Sequence, residues 1–181
     1  MNSQNQTIVA FIGGGNMSSS IIGGLIGSGW PGDNFRVSDP QDAQRDKLQG
    51  RFAVRCFKDN NDCVEDADVV VLSVKPQMLK HAVESIGPSI TARTPLLISI
   101  AAGINSASIA NWIGREIPIV RVMPNTPALV NCGVSGLFAG SLATTDQKKL
   151  AEQLMRAVGE VIWVEHEDLI DTVTGVSGSG P

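Results

Sequence analysis

The chain has 181 residues, of which 43% are hydrophobic and 18% are charged, and its formal net charge is −4. This composition excludes a disordered chain, and because no Lys/Arg run is present, we expect neither nucleic acid nor a membrane surface as a partner. Three cysteines without C-x-x-C spacing and two distant histidines argue against a disulfide framework and a metal site, and they favour a cytoplasmic location.

The first 32 residues contain no charged side chain, so a signal peptide or a membrane span has to be considered. No Lys or Arg precedes the apolar stretch, and the basic start of a signal peptide is therefore missing. Gly, Ser and Asn occupy 12 of the 22 positions in residues 8–29, too many for a helix in lipid. We expect neither a leader nor a span here.

Apolar runs alternate with turn residues and amphipathic segments along the chain. Strands are predicted at residues 7–12, 35–38, 53–56, 69–74, 96–100, 119–123, 134–138 and 161–164. Helices are predicted at residues 17–27, 43–50, 77–86, 106–113 (capped by Ser106), 145–158 (capped by Thr144 or Thr145, with Gly159 at its end) and 168–173. This alternation predicts an α/β fold with a doubly wound, mainly parallel sheet. Residues 1–174 would form this domain, and the Gly/Ser-rich residues 175–181 would begin a hinge.

A glycine-rich turn joins the first predicted strand to the first predicted helix. It runs Ile12, Gly13, Gly14, Gly15, Asn16, Met17, and small Ser18 follows. In a Rossmann-type NAD(P)-binding domain, Gly13 would permit the tight turn, Gly15 would let the backbone approach a pyrophosphate, and Ser18 would keep the helix near the strand. The N-terminus of that helix would offer free N–H groups and a positive dipole end. The alternative is an ordinary glycine-rich connection.

Asp39 ends the second predicted strand, 26 residues after Gly13. A carboxylate there can accept hydrogen bonds from the adenosine ribose and would repel a 2′-phosphate, which favours NADH over NADPH. The opposite preference is also open, because Ser38, Arg36 or Arg45 could bind the 2′-phosphate of NADPH. Asp39 before Pro40 could equally be a turn initiator.

Two further segments follow buried strands, and ligands of open α/β sheets bind outside such strand ends. One consists of Ser73, Val74, Lys75 and Pro76, and the other of Ile100, Ala101 and Ala102 before Gly103. We expect both to face the cofactor. The alternatives are a solvated lysine at a strand end and small residues that serve only packing.

The loop at residues 121–127, Arg-Val-Met-Pro-Asn-Thr-Pro, is held by two prolines and exposes polar Asn125 and Thr126. Such a loop can orient a nicotinamide carboxamide or a small substrate, although an ordinary turn is also possible. Neither His81 nor His166 is placed to act as a general acid, and no catalytic triad, carboxylate dyad or phosphate-transfer loop is visible.

Taken together, these segments resemble pyrroline-5-carboxylate reductases from the glycine turn to the last residue. The most specific matches are residues 12–17, 73–77, 100–103, 121–128 and 177–181. The resemblance implies reduction of the small cyclic imine carboxylate 1-pyrroline-5-carboxylate to L-proline, the last step of proline biosynthesis, by hydride transfer from NADPH or NADH. It assigns the residues above to the cofactor, places Asn60 near the adenosine ribose, and places Asn125 near the nicotinamide. Asp39 departs from the phosphate-friendly residue of many NADPH-using relatives.

The resemblance also implies a helical domain beyond Pro181 that supplies the substrate-side groups and forms a homo-oligomer. We therefore expect this chain to bind cofactor but to be weak or inactive as a reductase, with its catalytic groups unassigned. A non-catalytic nucleotide-binding module remains an alternative. So does a hydroxyacid dehydrogenase-like oxidoreductase, which would need a catalytic Lys or His that is not evident.

Overall fold

The computed structural model describes residues 7–90 and 93–175. The strands are β1 Val9–Ile12, β2 Phe35–Ser38, β3 Arg55–Phe57, β4 Val69–Leu72, β5 Leu96–Ser99, β6 Ile119–Pro124, β7 Gly133–Ala139 and β8 Gly159–Trp163. The helices are α1 Asn16–Gly27, α2 Asp42–Phe52, α3 Asn60–Val64, α4 Pro76–Ile86, α5 Ser106–Ile113, α6 Thr145–Arg156 and α7 Leu169–Val173. The predicted alternation of strands and helices is therefore present.

The strands form one sheet in the order β3-β2-β1-β4-β5-β6-β7-β8. Neighbouring strands from β3 to β6 are parallel, whereas β7 is antiparallel to β6 and β8 is parallel to β7. Only residues 125–132 join β6 to β7, and a parallel crossover needs a dozen residues or more, so the chain turns back. The predicted doubly wound, mainly parallel Rossmann-type sheet is confirmed.

Two apolar cores lie on opposite faces of the sheet. Side chains of a strand alternate between faces, so in β1 the fully buried Phe11 belongs to one core and Ile12 to the other. Helices α1, α2 and α6 cover the first face, and α3, α4 and α5 cover the second. Because both faces are covered, β1, β4 and β5 are buried at every position, which is why they read as continuous apolar runs.

Two predicted helix boundaries are wrong. Asn105, not Ser106, caps α5, because its Oδ1 accepts a hydrogen bond from the Ser108 amide at 2.8 Å. Gly159 begins β8 instead of ending a helix: its φ is +149°, and a β-carbon there would lie 1.9 Å from the Gly133 carbonyl oxygen. At Thr144, by contrast, the predicted cap is confirmed by a capping box with Gln147.

Some expectations fall on residues that the structure does not describe. The predicted hinge lies outside the described residues from residue 176 onward, and the segment at residues 177–181 lies outside them entirely. Within the two described ranges, no helix has both the length and the apolar character needed to cross a bilayer.

Candidate functional site

The glycine turn is packed directly against the end of β4. Gly13 has φ +100°, its amide donates to the Ser38 carbonyl oxygen at 2.9 Å, and a β-carbon on it would lie 2.9 Å from the Ser73 carbonyl oxygen. Both the backbone angle and the space at this position therefore require glycine. The turn joins the carboxyl ends of β1, β2 and β4, where the strand order changes direction.

The start of α1 has the features of an anion site. Gly15 is the N-cap residue, so no side chain caps the helix, and the first turn contains no acidic residue. A β-carbon on Gly15 would meet no atom within 4 Å, which means that open space lies beside the turn. Exposed Asn16 and half-buried Met17 form the first turn of this 12-residue helix. Its first amides and positive dipole end are thus available to a phosphate group.

Two serine hydroxyls tie α1 to the strand ends. The fully buried Ser18 Oγ donates to the Gly13 carbonyl oxygen at 2.6 Å and lies 2.8 Å from Ser73 Oγ. Ser73 Oγ in turn lies 2.9 Å from the Ile12 carbonyl oxygen. Ser18 therefore joins the helix to the strand by hydrogen bonds as well as by its small size. The Ser73 hydroxyl thus makes its hydrogen bonds to the turn.

Asp39 takes part in the turn through both carboxylate oxygens. Oδ2 accepts from the Gly14 amide at 3.0 Å, and Oδ1 accepts from the Gln41 amide at 2.9 Å. Both predicted roles are therefore geometrically compatible: Asp39 closes the Asp-Pro turn, and it also lies beside the glycine turn at the end of β2. Arg45 donates to the Asp39 carbonyl oxygen at 2.6 Å and is paired with Asp42.

A chain of polar side chains links β2 to α4. Ser38 Oγ donates to Asn60 Oδ1 at 2.7 Å, and Asn60 Nδ2 donates to Ser85 Oγ at 3.2 Å. Asn60 begins α3, a five-residue helix that the sequence analysis missed. The signal for it was Asp59, an N-cap residue whose carboxylate accepts hydrogen bonds from Asn61, and these bonds lower the pKa of Asp59.

These elements enclose a cleft of about 640 Å³ at the carboxyl edge of the sheet. It is lined by eight of the predicted cofactor residues, namely Gly13, Gly15, Ser38, Asp39, Asn60, Ser73, Val74 and Lys75. Its volume falls within the usual range for small-molecule sites. The structure thus brings together residues that the sequence separates by more than 60 positions.

The cleft also contains residues that the sequence analysis did not assign to the site. Lys58 follows β3, and the side of α4 that faces the cleft carries Met78, His81 and Ser85. Positions 78, 81 and 85 are three and four residues apart, which is the spacing of a single helix face. That spacing, directly after a strand end assigned to the cofactor, was the signal available in the sequence.

The remaining predicted residues lie outside the cleft lining. Ile100, Ala101 and Ala102 follow β5, next to β4 at the same edge of the sheet, and the Ile100 amide donates to the Leu72 carbonyl oxygen at 3.2 Å. Asn125 follows β6, and its Oδ1 accepts from the Val134 amide at 2.9 Å, which fixes the connection to β7. Five residues lie within or beside the turn and β4: Ile12 is buried, Gly14 is bonded to Asp39, Asn16 and Met17 begin α1, and Pro76 opens α4.

Comparisons with known proteins give consistent results. Residues 8–103 match the family described as "NADP oxidoreductase coenzyme F420-dependent". A pyrroline-5-carboxylate reductase of Pseudomonas aeruginosa is 49% identical over 173 residues, which cover 96% of this chain and 63% of that protein. The chain therefore spans less than two thirds of the length of this curated relative.

Solved structures of pyrroline-5-carboxylate reductases are also similar to this chain. A pyrroline-5-carboxylate reductase from Coxiella burnetii superposes with a TM-score of 0.95 at 42% identity, covering 98% of this chain and 66% of that one. The Plasmodium falciparum pyrroline carboxylate reductase, solved with NADP bound, has a TM-score of 0.84 at 26% identity and covers 98% of this chain and 64% of that one.

Proposed function

The chain belongs to the family of NADP oxidoreductases described as coenzyme F420-dependent, and we propose that it is the NAD(P)H-binding part of a pyrroline-5-carboxylate reductase. The whole enzyme would reduce 1-pyrroline-5-carboxylate to L-proline by hydride transfer from NADPH or NADH. Residues 1–174 would be the cofactor domain, and residues 175–181 would begin a hinge. The observation that carries the proposal is the uncapped, open start of α1 at the edge of the cleft.

The residues around the cleft suit the parts of a dinucleotide. The turn from Ile12 to Met17 would hold the pyrophosphate through main-chain amides, because no side chain occupies the space beside Gly15. Asp39 and Asn60 would contact the adenosine ribose, and Ser38, which donates to Asn60, would lie beside them where it could also serve a 2′-phosphate. Each of these side chains is already oriented by a hydrogen bond to a neighbour, so little conformational entropy would be lost on binding.

The other half of the dinucleotide would lie along the edge beyond β4. Residues 73–76 and 100–102 would line the ribose and nicotinamide, and Asn125 would lie near the nicotinamide. When bound, the reduced nicotinamide supplies the hydride that the imine carbon accepts. The contribution of this chain is to bind and orient, since the groups expected to hold the substrate are not assigned to it. Alone, it would bind cofactor and be weak or inactive as a reductase.

The cellular setting follows from the same proposal. The whole enzyme would take a small cyclic imine carboxylate as its substrate. It would be a homo-oligomer and would work in the cytoplasm. The net charge of −4 and the absence of a Lys/Arg run in the sequence support a setting without nucleic acid or membrane.

The substitution Gly15→Val tests the proposal. Because nothing lies within 4 Å of the added β-carbon, the variant should fold normally, yet its side chain would fill the space meant for the diphosphate. We expect calorimetric titration with NADH and NADPH to detect binding to the wild-type chain and a loss of at least about tenfold in the variant. Gly27→Val, also at an open position of α1, is the matched control. Equal affinity in Gly15→Val and wild type would contradict the proposal.

A further inference from the structure

Arg121 is a cation enclosed within the fold. It lies on β6 with only 3% of its side chain exposed. Its guanidinium pairs with Glu167, two residues before α7, at 3.2 Å and with Asp171, within α7, at 3.3 Å. A buried charge is tolerated only where it is paired, so residues 167–171 are held to the sheet by Arg121.

Glu167 makes a second connection in addition to the ion pair. Its Oε1 accepts from the Ser106 amide at 2.6 Å, and its Oε2 accepts from the Ser106 hydroxyl at 2.8 Å. Ser106 is the first residue of α5, whose own first turn contains no acidic residue. The acidic group that complements this helix start therefore comes from a residue 61 positions away in the sequence.

Residues 100–105 lie between two fixed points. At one end, the Ile100 amide is bonded to Leu72 on β4. At the other end, Asn105 caps α5 and Glu167 holds Ser106. The geometry of this connection therefore depends on Glu167, which in turn is oriented by Arg121.

We propose that Glu167, oriented by Arg121, is a positioning residue that fixes residues 100–105 for the nicotinamide half of the cofactor. The inference rests on the proposed function, because it assumes that these residues line the nicotinamide side. Glu167 does not touch the cofactor in this scheme. Its loss should therefore weaken binding of the nicotinamide half and leave binding of the adenosine half unchanged.

The experiment compares two ligands that differ only in that half. NADH consists of ADP joined to reduced nicotinamide riboside, whereas ADP contains the same adenosine and diphosphate without the nicotinamide riboside. We expect Glu167→Gln to raise the Kd of NADH about fivefold and to leave the Kd of ADP within about twofold of wild type. Glu165→Gln, at an exposed position two residues earlier, is the matched control and should change neither.

Ser106→Ala provides a second, milder variant. It removes the hydroxyl bond to Glu167 while leaving the Arg121 ion pair intact, so it should shift NADH affinity in the same direction by about twofold. If Glu167→Gln does not fold, this variant alone decides.

The outcomes are distinct. Equal weakening of both ligands, or no change in either, would overturn the positioning role. A wild-type chain that binds neither ligand would overturn the proposed function and this inference with it. Binding of both ligands by wild type, with an unchanged NADH affinity in the variants, would overturn the inference alone.

Discussion

Helix α1 contacts the end of α6 at a point where only glycine fits. A β-carbon at Gly24 would lie 2.2 Å from the Ala157 carbonyl oxygen and 2.9 Å from its carbon. These are backbone atoms that no side-chain rotation can move aside. The substitution Gly24→Ala would therefore push α1 away from α6 by about 1 Å, because non-bonded carbon and oxygen atoms do not approach so closely.

The energetic cost follows from two opposing effects. Overpacking of a core contact costs about 1–3 kcal/mol, and an approach of 2.2 Å to a backbone atom belongs to the upper part of that range, about 2–3 kcal/mol, whereas alanine gains about 1 kcal/mol over glycine in a helix. We expect Gly24→Ala to lower the free energy of unfolding by about 1–2 kcal/mol. For a chain of this size, a urea m-value of about 2 kcal/mol/M converts this into a midpoint lower by about 0.5–1 M.

Urea titration followed by circular dichroism measures this change. Gly50→Ala is the matched control: Gly50 is an exposed interior residue of α2 with nothing within 4 Å of its added β-carbon, so the same substitution should raise stability by about 0.5–1 kcal/mol. A midpoint for Gly24→Ala at or above that of wild type would refute the close contact between α1 and α6.

Two further predictions concern ionisable groups. Burial raises the pKa of the Cys63 thiol to about 12, whereas an unfolded thiol has a pKa of about 8.5. Between these two pH values the folded chain keeps a proton that the unfolded chain loses. The stability that this thiol contributes is therefore complete below about pH 8.5 and is lost as the pH rises. In urea titrations, the free energy of unfolding should fall less steeply between pH 8 and pH 10 in Cys63→Ala than in wild type. Equal declines in the two proteins would contradict this prediction. Asp39→Asn should raise the ratio of NADPH to NADH affinity by up to about tenfold, and Lys58→Ala should lower it, because each removes one charge from the cleft. Calorimetric titration at low salt measures both affinities, and Lys80→Ala, which removes a charge outside the cleft lining, is the matched control. If neither Asp39→Asn nor Lys58→Ala changes the ratio, these charges do not determine the choice of cofactor.

The sequence was sufficient for the strands of the central sheet. Residues of β4 and β5 form continuous apolar runs that end at polar or proline residues, so their type and place were predicted correctly. The five-residue helix α3 was missed because a single turn and a half has too few residues to show a helical period. The reversal of β7 was not predicted, because the apolar pattern of a strand does not show its direction; its signal was the short connection at residues 125–132, which is too short for a parallel crossover.

The candidate site was predicted in part. The resemblance to pyrroline-5-carboxylate reductases is confirmed by a relative with 49% identity. Spacing located the glycine turn because its geometry is local. Lys58 and His81 were not assigned to the cofactor site. The spacing of residues 78, 81 and 85 indicates a shared helix face, but whether that face and Lys58 border the cleft depends on how β3 and α4 pack against the rest of the fold. The roles of Asn60 and Asn125 toward the cofactor stay predictions.

The glycine turn also determines how a bound diphosphate would respond to acidity. Main-chain amides neither gain nor lose protons in the physiological range, and no ionisable side chain occurs before Asp33. These amides would therefore bind a diphosphate equally well in mildly acidic and mildly alkaline solution. Any sensitivity of cofactor affinity to acidity would therefore have to arise from side chains that line the cleft and not from these amides, and one of those side chains, Asp39, contacts the turn at Gly14.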